Sequence, residues 1–276
     1  MLGHQVVNYF LKFDDYDVMD IAFRSKLREK TIISDVTDKV VFENIVTELS
    51  PDYIVNCIGV LIHGSNNVEN AIYLNAYLPH QLKKISIKIA AKLIHISTDC
   101  VFSGNKGGYI ESDVKDGKGV YSQTKILGEV KDGSNITLRT SIVGPELKEN
   151  GEGLFHWFMN QQGDIFGFTK AFWSGVTTIE LAKAVKWSID NDITGLYHVT
   201  NNSSISKHEL LKLFQKHTKK DININPVEGN NVDKSFIDTR LLMNYQIPSY
   251  DKMVCDMAKL IVGNQDLYSQ YKIGHN

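Results

Sequence analysis

The stretch "LIHISTDCVFSG" (93–104) carries the pattern from which the fold is read. Its first half is an apolar run without polar alternation, as a strand buried on both faces presents. It breaks after Ser97-Thr98 into a polar loop closed by glycine. The same unit recurs outward along the chain. "YIVNCIG" (53–59), "ITLRTSIVG" (136–144) and "GLYHVTN" (195–201) read as strands, as do "YDVMDIAF" (16–23) and "TIISDV" (31–36). Between them lie stretches with apolar spacing near 3.6: Val6 to Lys12, 39–49, 67–92 with Pro79 as a kink or new start, 120–132 and 177–191. Strand–helix alternation of this kind predicts an α/β fold, a doubly wound parallel sheet with helices on both faces.

The character changes after Pro145. The segment 204–218 opens on Ser206 with Glu209 three residues on, a capping-box signature, and the stretch from Tyr250 to Lys272 reads as helical. The expected organisation is a dinucleotide-binding domain over 1–145 and a smaller, partly interleaved substrate-binding region over 146–276. With 276 residues, of which 42% are hydrophobic, a sizeable core is available. The formal net charge of −2 offers no basic excess for nucleic acid. No apolar run reaches the length of a membrane span, and the N-terminus has no secretory pattern. Three widely spaced cysteines argue against a disulfide framework or a zinc site and fit a reducing cytoplasm. No metal site is expected.

In a doubly wound sheet, ligands lie beyond the carboxyl ends of the strands. Past Thr98 the chain reaches "YSQTK", in which Tyr121 and Lys125 share one face of a helix. An ammonium beside a phenol lowers the phenol's pKa, and such a tyrosine exchanges a proton with a carbonyl or alcohol oxygen. Thr98 is placed to orient the same oxygen. The spacing alone is uninformative: Tyr268 and Lys272 share it and read as structural. What sets Tyr121 apart is its place at a helix start, following a buried strand that ends in Ser97-Thr98.

These stretches, with "MLGHQVV", "SDVTD", "PDYIVNCIGV", "YLNAYLPHQL", "HISTDCVFSG", "YSQTKILGE", "LRTSIVG" and "SGVTTIELAKAV" in order, resemble the extended short-chain dehydrogenase/reductases. Within these the chain is most similar to the dTDP-4-dehydrorhamnose reductase family. The resemblance implies a Rossmann-like NAD(P)-binding domain and reduction of the C4 keto group of a nucleotide-linked 4-keto-6-deoxy sugar, for cell-surface polysaccharide precursors. Tyr121 would donate the proton, Lys125 would hold the nicotinamide ribose and tune Tyr121, and Thr98 would bond the reacting oxygen. Ile58, Gly59 and Val60 would line the cofactor's ribose and pyrophosphate. Asp35 and Val36 would flank the adenine, although Asp35 reads equally as a turn residue. Asn75 reads as a packing residue near the cofactor wall. Lys170 would meet a phosphate and Trp173 would stack on a sugar or base, unless both serve loop packing.

Charge bears on the cofactor. A carboxylate after the second strand of such a domain selects NAD, and a cation there accepts a 2′-phosphate. Here the corresponding strand, 16–23, runs into Arg24, Ser25 and Lys26 with no acid beyond Asp20, so NADPH is expected, with NADH as the alternative. Relatives that eliminate water use an Asp-Glu pair after the threonine. This chain has Asp99-Cys100, which favours simple reduction; Cys100 reads as a packing residue with no basic partner evident. An epimerase, or a non-catalytic NADP-binding regulatory subunit, are the alternatives, and a homodimer is compatible with each. Ile142 and Gly144 depart from the family's aromatic pattern, leaving sugar and base open; UDP-linked N-acetyl deoxysugars fit as well as dTDP-rhamnose. Gly3 matches the third glycine of the family's phosphate turn. The preceding strand and two glycines do not appear in the sequence as numbered, so weak NADPH binding and lower stability than an upstream-extended form are expected.

Overall fold

The computed structural model describes residues 1–240 and 245–274. The chain enters on α1 (Leu2–Phe10), which begins earlier than the periodicity implied because Leu2 joins Val6 and Phe10 on one buried face. Two short parallel strands follow, β1 (Ile21–Ala22) and β2 (Ile32–Ile33), only part of the runs expected at 16–23 and 31–36. Asp20 explains the shortening. Its carboxylate takes Arg28 Nε and Thr31 Oγ1, each at 2.6 Å, which folds the chain into a turn between the strands. Helix α2 (Lys39–Leu49) has the expected bounds, with Asp38 accepting from Val41 N at its start.

Next come β3 (Tyr53–Asn56), α3 (Val68–Ala71), a π-helical turn (Ile72–Tyr77) and α4 (Leu78–Lys88), with Pro79 in the first turn of α4. There the missing proline N–H is one that would go unbonded in any case. Strand β4 (Lys92–Thr98) leads through a 3₁₀ turn (Asp99–Val101) towards α5 (Gly119–Leu127). That helix stops short of 132. A Cβ on Gly128 would lie 1.9 Å from Asn75 O, so the helix end presses backbone to backbone on the π turn, and glycine is required. The strand expected at 136–144 is two: β5 (Ile136–Thr140) and β6 (Ile142–Val143), which diverge at Ser141.

The remaining elements are α6 (Leu154–Met159), β7 (Asp164–Phe168), β8 (Ala171–Trp173), β9 (Val176–Thr177), α7 (Thr178–Asp190), β10 (Gly195–His198), β11 (Ile205–Ser206), α8 (Lys207–Thr218), β12 (Asn223–Val227), β13 (Val232–Asp233) and α9 (Tyr250–Val262). The principal sheet is parallel, in the order β10-β5-β4-β3. Strand β10 thus returns from the C-terminal half to pair with β5. Smaller ladders join β6 to β9, β7 to β12, and β8 to β11 and β13. The pair β1–β2 forms its own ladder, and among the described residues no strand joins it to β3.

One core cluster joins α1, β4, β5, α7, α8 and α9. A second packs α2 and α4 against β4 through Phe42, Val46, Leu82, Ile85 and Leu93. The sheet therefore carries helices on both faces, an α/β architecture. The Ser206–Glu209 capping box is formed in both directions. The C-terminal helix is shorter than expected and is followed by turns that tuck in Tyr268 and Tyr271. Tyr268 meets His4 Nε2 at 2.9 Å and Tyr271 meets His156 Nδ1 at 2.8 Å, so Tyr268 is structural. Among the described residues no helix is long and apolar enough to cross a membrane.

His4, His95 and His198 are buried. Burial, with the nearby N-terminal amine, holds His4 down to about 3; burial, with Arg139, holds His198 to about 4; burial, with Lys125, keeps His95 well below its ordinary value. These groups bind protons in the unfolded chain before the folded one, so stability rises with pH across the interval from those values to the ordinary histidine range. Near pH 5 each is expected to cost about 2 kcal/mol relative to neutral pH. Urea midpoints at pH 7.5 and pH 5 check this, and equal midpoints would refute it.

Candidate functional site

The site forms where β4 ends. Thr98 closes the strand, and its Oγ1 accepts from Cys100 N at 3.2 Å and donates to Asp99 Oδ1 at 3.1 Å. This local hydroxyl cap turns the chain sharply into the 3₁₀ turn and leaves Thr98 at the carboxyl edge of the sheet. Helix α5 presents Tyr121 and Lys125 on one face towards it. Lys125 Nζ donates to Ile96 O at 2.8 Å, two residues before Thr98. Thr98, Tyr121 and Lys125 are thereby brought together.

The π turn holds this grouping to its neighbours. Asn75, 1% exposed, accepts from Val60 N at 3.0 Å, donates to Val60 O at 3.1 Å and reaches Thr124 Oγ1 on α5 at 3.3 Å. Tyr73, from the same turn, donates to Val36 O at 2.8 Å. A widened turn places both polar side chains inward, where a regular helix would rotate one away. The loop Ile58–Gly59–Val60 is thus pinned beside α5, with Ile58 N bonded to Asn56 Oδ1 at 3.0 Å. A Cβ on Gly59 would come within 3.0 Å of Asn75 Oδ1, so the loop approaches the turn as closely as glycine permits.

Beside Tyr121 opens a cleft of about 470 Å³ whose lining includes Ile62, Cys100, Lys118, Tyr121, Ser122 and Lys234. Lys234 lies with Nζ 3.5 Å from Cys100 Sγ, so the cysteine does have a basic partner, contrary to the sequence reading. Burial nevertheless pushes the thiol up to about 11, aided by Asp99 and opposed by Lys234, and it stays protonated at neutral pH. Tyr121 is also pushed above its ordinary value, chiefly by burial and further by Cys100 and Asp99, with Thr98 opposing. Lys125 is drawn down to about 8 by burial, with Glu129 opposing. The expected lowering of Tyr121 by the Lys125 ammonium is not what the geometry gives: the ammonium is bonded to a backbone carbonyl, and the phenol faces acidic neighbours. Tyr121 keeps its proton at neutral pH and is a weaker acid than an ordinary phenol.

The other expected residues fall as follows. Arg24 and Ser25 lie in the exposed loop after β1, the Arg24 guanidinium 4.9 Å from the Phe23 ring centre. Asp35 is exposed and accepts from Thr37 N and Oγ1, a turn cap, while Val36 is buried against α2 and α4. Gly3 lies in the first turn of α1, where a Cβ would meet Cys57 Cβ at an ordinary 3.7 Å. Packing alone does not demand glycine there. Lys170 is taken up in an exposed ion pair with Glu228. Trp173 is a correction: it is 3% exposed, packed against Tyr250 with Lys207 on its ring, and offers no open face for stacking.

The sequence reading missed Lys234, Ser97, Glu129 and Arg139. Lys234 reaches the cleft from far along the chain and left no local signal. The other three were visible within "HISTDC", "YSQTKILGE" and "LRTSIVG" but carried no assigned role.

The model for the RmlD substrate binding domain matches residues 2–236. The chain belongs to that family. Among RmlD-like relatives, dTDP-4-dehydrorhamnose reductase of Mycobacterium tuberculosis is 34% identical over 102 residues, 34% of this chain and 33% of that protein. The matched stretch therefore spans about a third of that relative's length. The beta subunit of methionine adenosyltransferase 2 from Bos taurus is 26% identical over 225 residues, 76% of this chain and 67% of that one. The crystal structure of dTDP-4-dehydrorhamnose reductase from Bacillus anthracis in complex with NADP shares the RmlD fold with a TM-score of 0.72, at 22% identity, over 83% of this chain and 90% of that one.

Proposed function

We propose that this chain is an NADPH-dependent reductase of the C4 keto group of a nucleotide-linked 4-keto-6-deoxy sugar. The observation that carries this reading is geometric: Tyr121 lines a cleft, bonded to Thr98 at the end of β4 and with Lys125 on the same helix face. Carbonyl reduction needs a proton donor at the oxygen, and a neutral phenol is the donating form. Thr98 Oγ1 orients that oxygen. Cys100, protonated where dehydratases of the superfamily carry a second carboxylate, supplies no base for elimination.

The residues present fit a nicotinamide dinucleotide. The loop Ile58–Gly59–Val60 lies just beyond the carboxyl end of β3, where such a ligand would lie, and the exposed Arg24 and Ser25 provide donors for a 2′-phosphate. NADPH, when bound, supplies the hydride. Lys125 would meet the ribose hydroxyls, and Ile58, Gly59 and Val60 would flank the ribose and pyrophosphate, with Asp35 and Val36 by the adenine. Lys118 and Lys234 give the cleft a positive lining for an anionic sugar nucleotide. The setting we propose is cytoplasmic.

The test is incubation of the protein with NADPH and a panel of dTDP- and UDP-linked 4-keto-6-deoxy sugars. NADPH consumption matched by a reduced sugar supports the proposal. Interconversion of C4 epimers without net consumption would replace it with an epimerase. A second reading, a non-catalytic NADP-binding regulatory subunit, is favoured by the likeness to the methionine adenosyltransferase 2 beta subunit over 76% of this chain. It predicts NADPH binding with no turnover of any sugar.

A further inference from the structure

Beneath Lys125 lies a charged cluster that the proposed reaction does not use directly. Glu129, its side chain fully buried, stands four residues beyond Lys125, just past the end of α5. Its carboxylate is bonded on four sides. Oε1 accepts from Ser97 Oγ and Arg139 Nε, each at 2.8 Å; Oε2 accepts from Arg139 Nη2 at 2.9 Å and Lys115 Nζ at 3.0 Å. Arg139 in turn places Nη1 2.8 Å from His198 Nε2. Two adjacent residues of β4 meet this segment: Ile96 O accepts from the Lys125 ammonium on α5, and Ser97 Oγ donates to Glu129 just after it.

We propose that Glu129 is the positioning residue for Lys125, supplying the counter-charge for that buried ammonium and, through Ser97, fixing the end of β4 from which Ile96 and Thr98 reach the site. The argument is one of charge and geometry. An ammonium out of water needs a nearby negative charge. The ionisable groups that act on Lys125 or share its face are Glu129, His95 on β4 and Tyr121 on α5, while Lys115, Arg139 and His198 lie behind Glu129. His95 and His198 are neutral at pH 7 and Tyr121 keeps its proton. Among these, Glu129 is the group carrying negative charge, and Lys115 and Arg139 partly neutralise it. Losing Glu129 removes the one negative charge acting on Lys125 and leaves Lys115 and Arg139 without their shared partner. Losing Lys115 leaves Glu129 less neutralised and Lys125 better held. The two changes must therefore move Lys125 in opposite directions.

This inference rests on the proposed role of Lys125, and its test separates the two. The measured quantity is the pH dependence of Lys125 acetylation by acetic anhydride, read by peptide mass spectrometry on the protein without ligand. In Glu129→Gln the titration shifts to lower pH, so that Lys125 reacts on the order of tenfold faster at pH 7. In Lys115→Gln, which alters a partly exposed residue, it shifts to higher pH and Lys125 reacts more slowly. A role confined to folding would not produce shifts of opposite sign. Unchanged titration in both variants, or shifts of the same sign, overturns the proposal. Should Glu129→Gln fail to fold, the Lys115→Gln shift decides alone: a rise supports the proposal and no shift or a fall refutes it. Where turnover is measurable, the alkaline limb of kcat moves with the labelling curve. Opposite labelling shifts without turnover in any variant would sink the reductase reading and leave this one standing.

Discussion

Tyr121→Phe is expected to lower kcat for NADPH oxidation with a 4-keto-6-deoxy sugar nucleotide by about 10²–10⁴-fold, compared at saturating NADPH. The affinity for NADPH should be unchanged within error. The change removes one oxygen from a side chain at the cleft mouth and leaves the ring that packs there. Thr98 remains to hold the substrate oxygen, so KM should move far less than kcat, as for a group that acts in the transition state. The raised Tyr121 pKa adds a sign. Protonated phenol is the active form for reduction, so no loss of reduction rate from Tyr121 ionisation is expected across the neutral range. The alkaline limb belongs to Lys125, near pH 8. Equal kcat in the wild type and Tyr121→Phe would remove Tyr121 from the chemistry.

Arg139→Met is expected to destabilise the fold by about 3–5 kcal/mol, the range for stranding a buried carboxylate by deleting its partner. Arg139 and Glu129 are both fully buried and joined by two hydrogen bonds. The guanidinium also lies 5.0 Å from the Phe102 ring centre, and methionine fills much of the same apolar volume, so the charge is the main thing lost. Burial alone would raise the Glu129 pKa; Arg139, Lys115 and Ser97 outweigh it and bring it to about 2. A carboxyl lowered on folding contributes stability that is full above its unfolded value near 4.5 and is lost as pH falls towards 2. Arg139→Met should flatten that acid limb. Urea unfolding of both proteins between pH 7 and pH 3.5 tests this. A variant within 1 kcal/mol of the wild type at pH 7, against a threshold of that order, would refute it.

The parts of the site that the sequence made legible are those carried by short contiguous segments. Thr98 ends an apolar run and caps its own turn, and Tyr121 and Lys125 share a helix face by spacing alone. The capping box at Ser206 and the bounds of α2 are local in the same way. Other features depended on contacts distant in sequence. The runs at 16–23 and 31–36 have strand-like composition, yet Asp20 is drawn to Arg28 and Thr31 and leaves two paired residues in each. The π turn exists because Asn75 must reach both Val60 and Thr124, which no periodicity records. Trp173 stood between stacking on substrate and loop packing, because an aromatic in a glycine-flanked segment fits either; Tyr250, from the last helix, covers it and favours packing. The tuning of Tyr121 was misread. Spacing set Lys125 beside the phenol, but the carbonyl of Ile96 takes the ammonium and Asp99 and Cys100 set the phenol's surroundings.

The central claim is that this cleft delivers a proton from Tyr121 to a C4 oxygen as hydride reaches C4. The most direct measurement uses NADPH deuterated at the transferred position together with a nucleotide-linked 4-keto-6-deoxy sugar, with the product examined by NMR. The account predicts a 4-hydroxy sugar carrying deuterium at C4, formed in step with cofactor oxidation and suppressed in Tyr121→Phe. Bound cofactor that remains reduced, or a product without deuterium at C4, would contradict it.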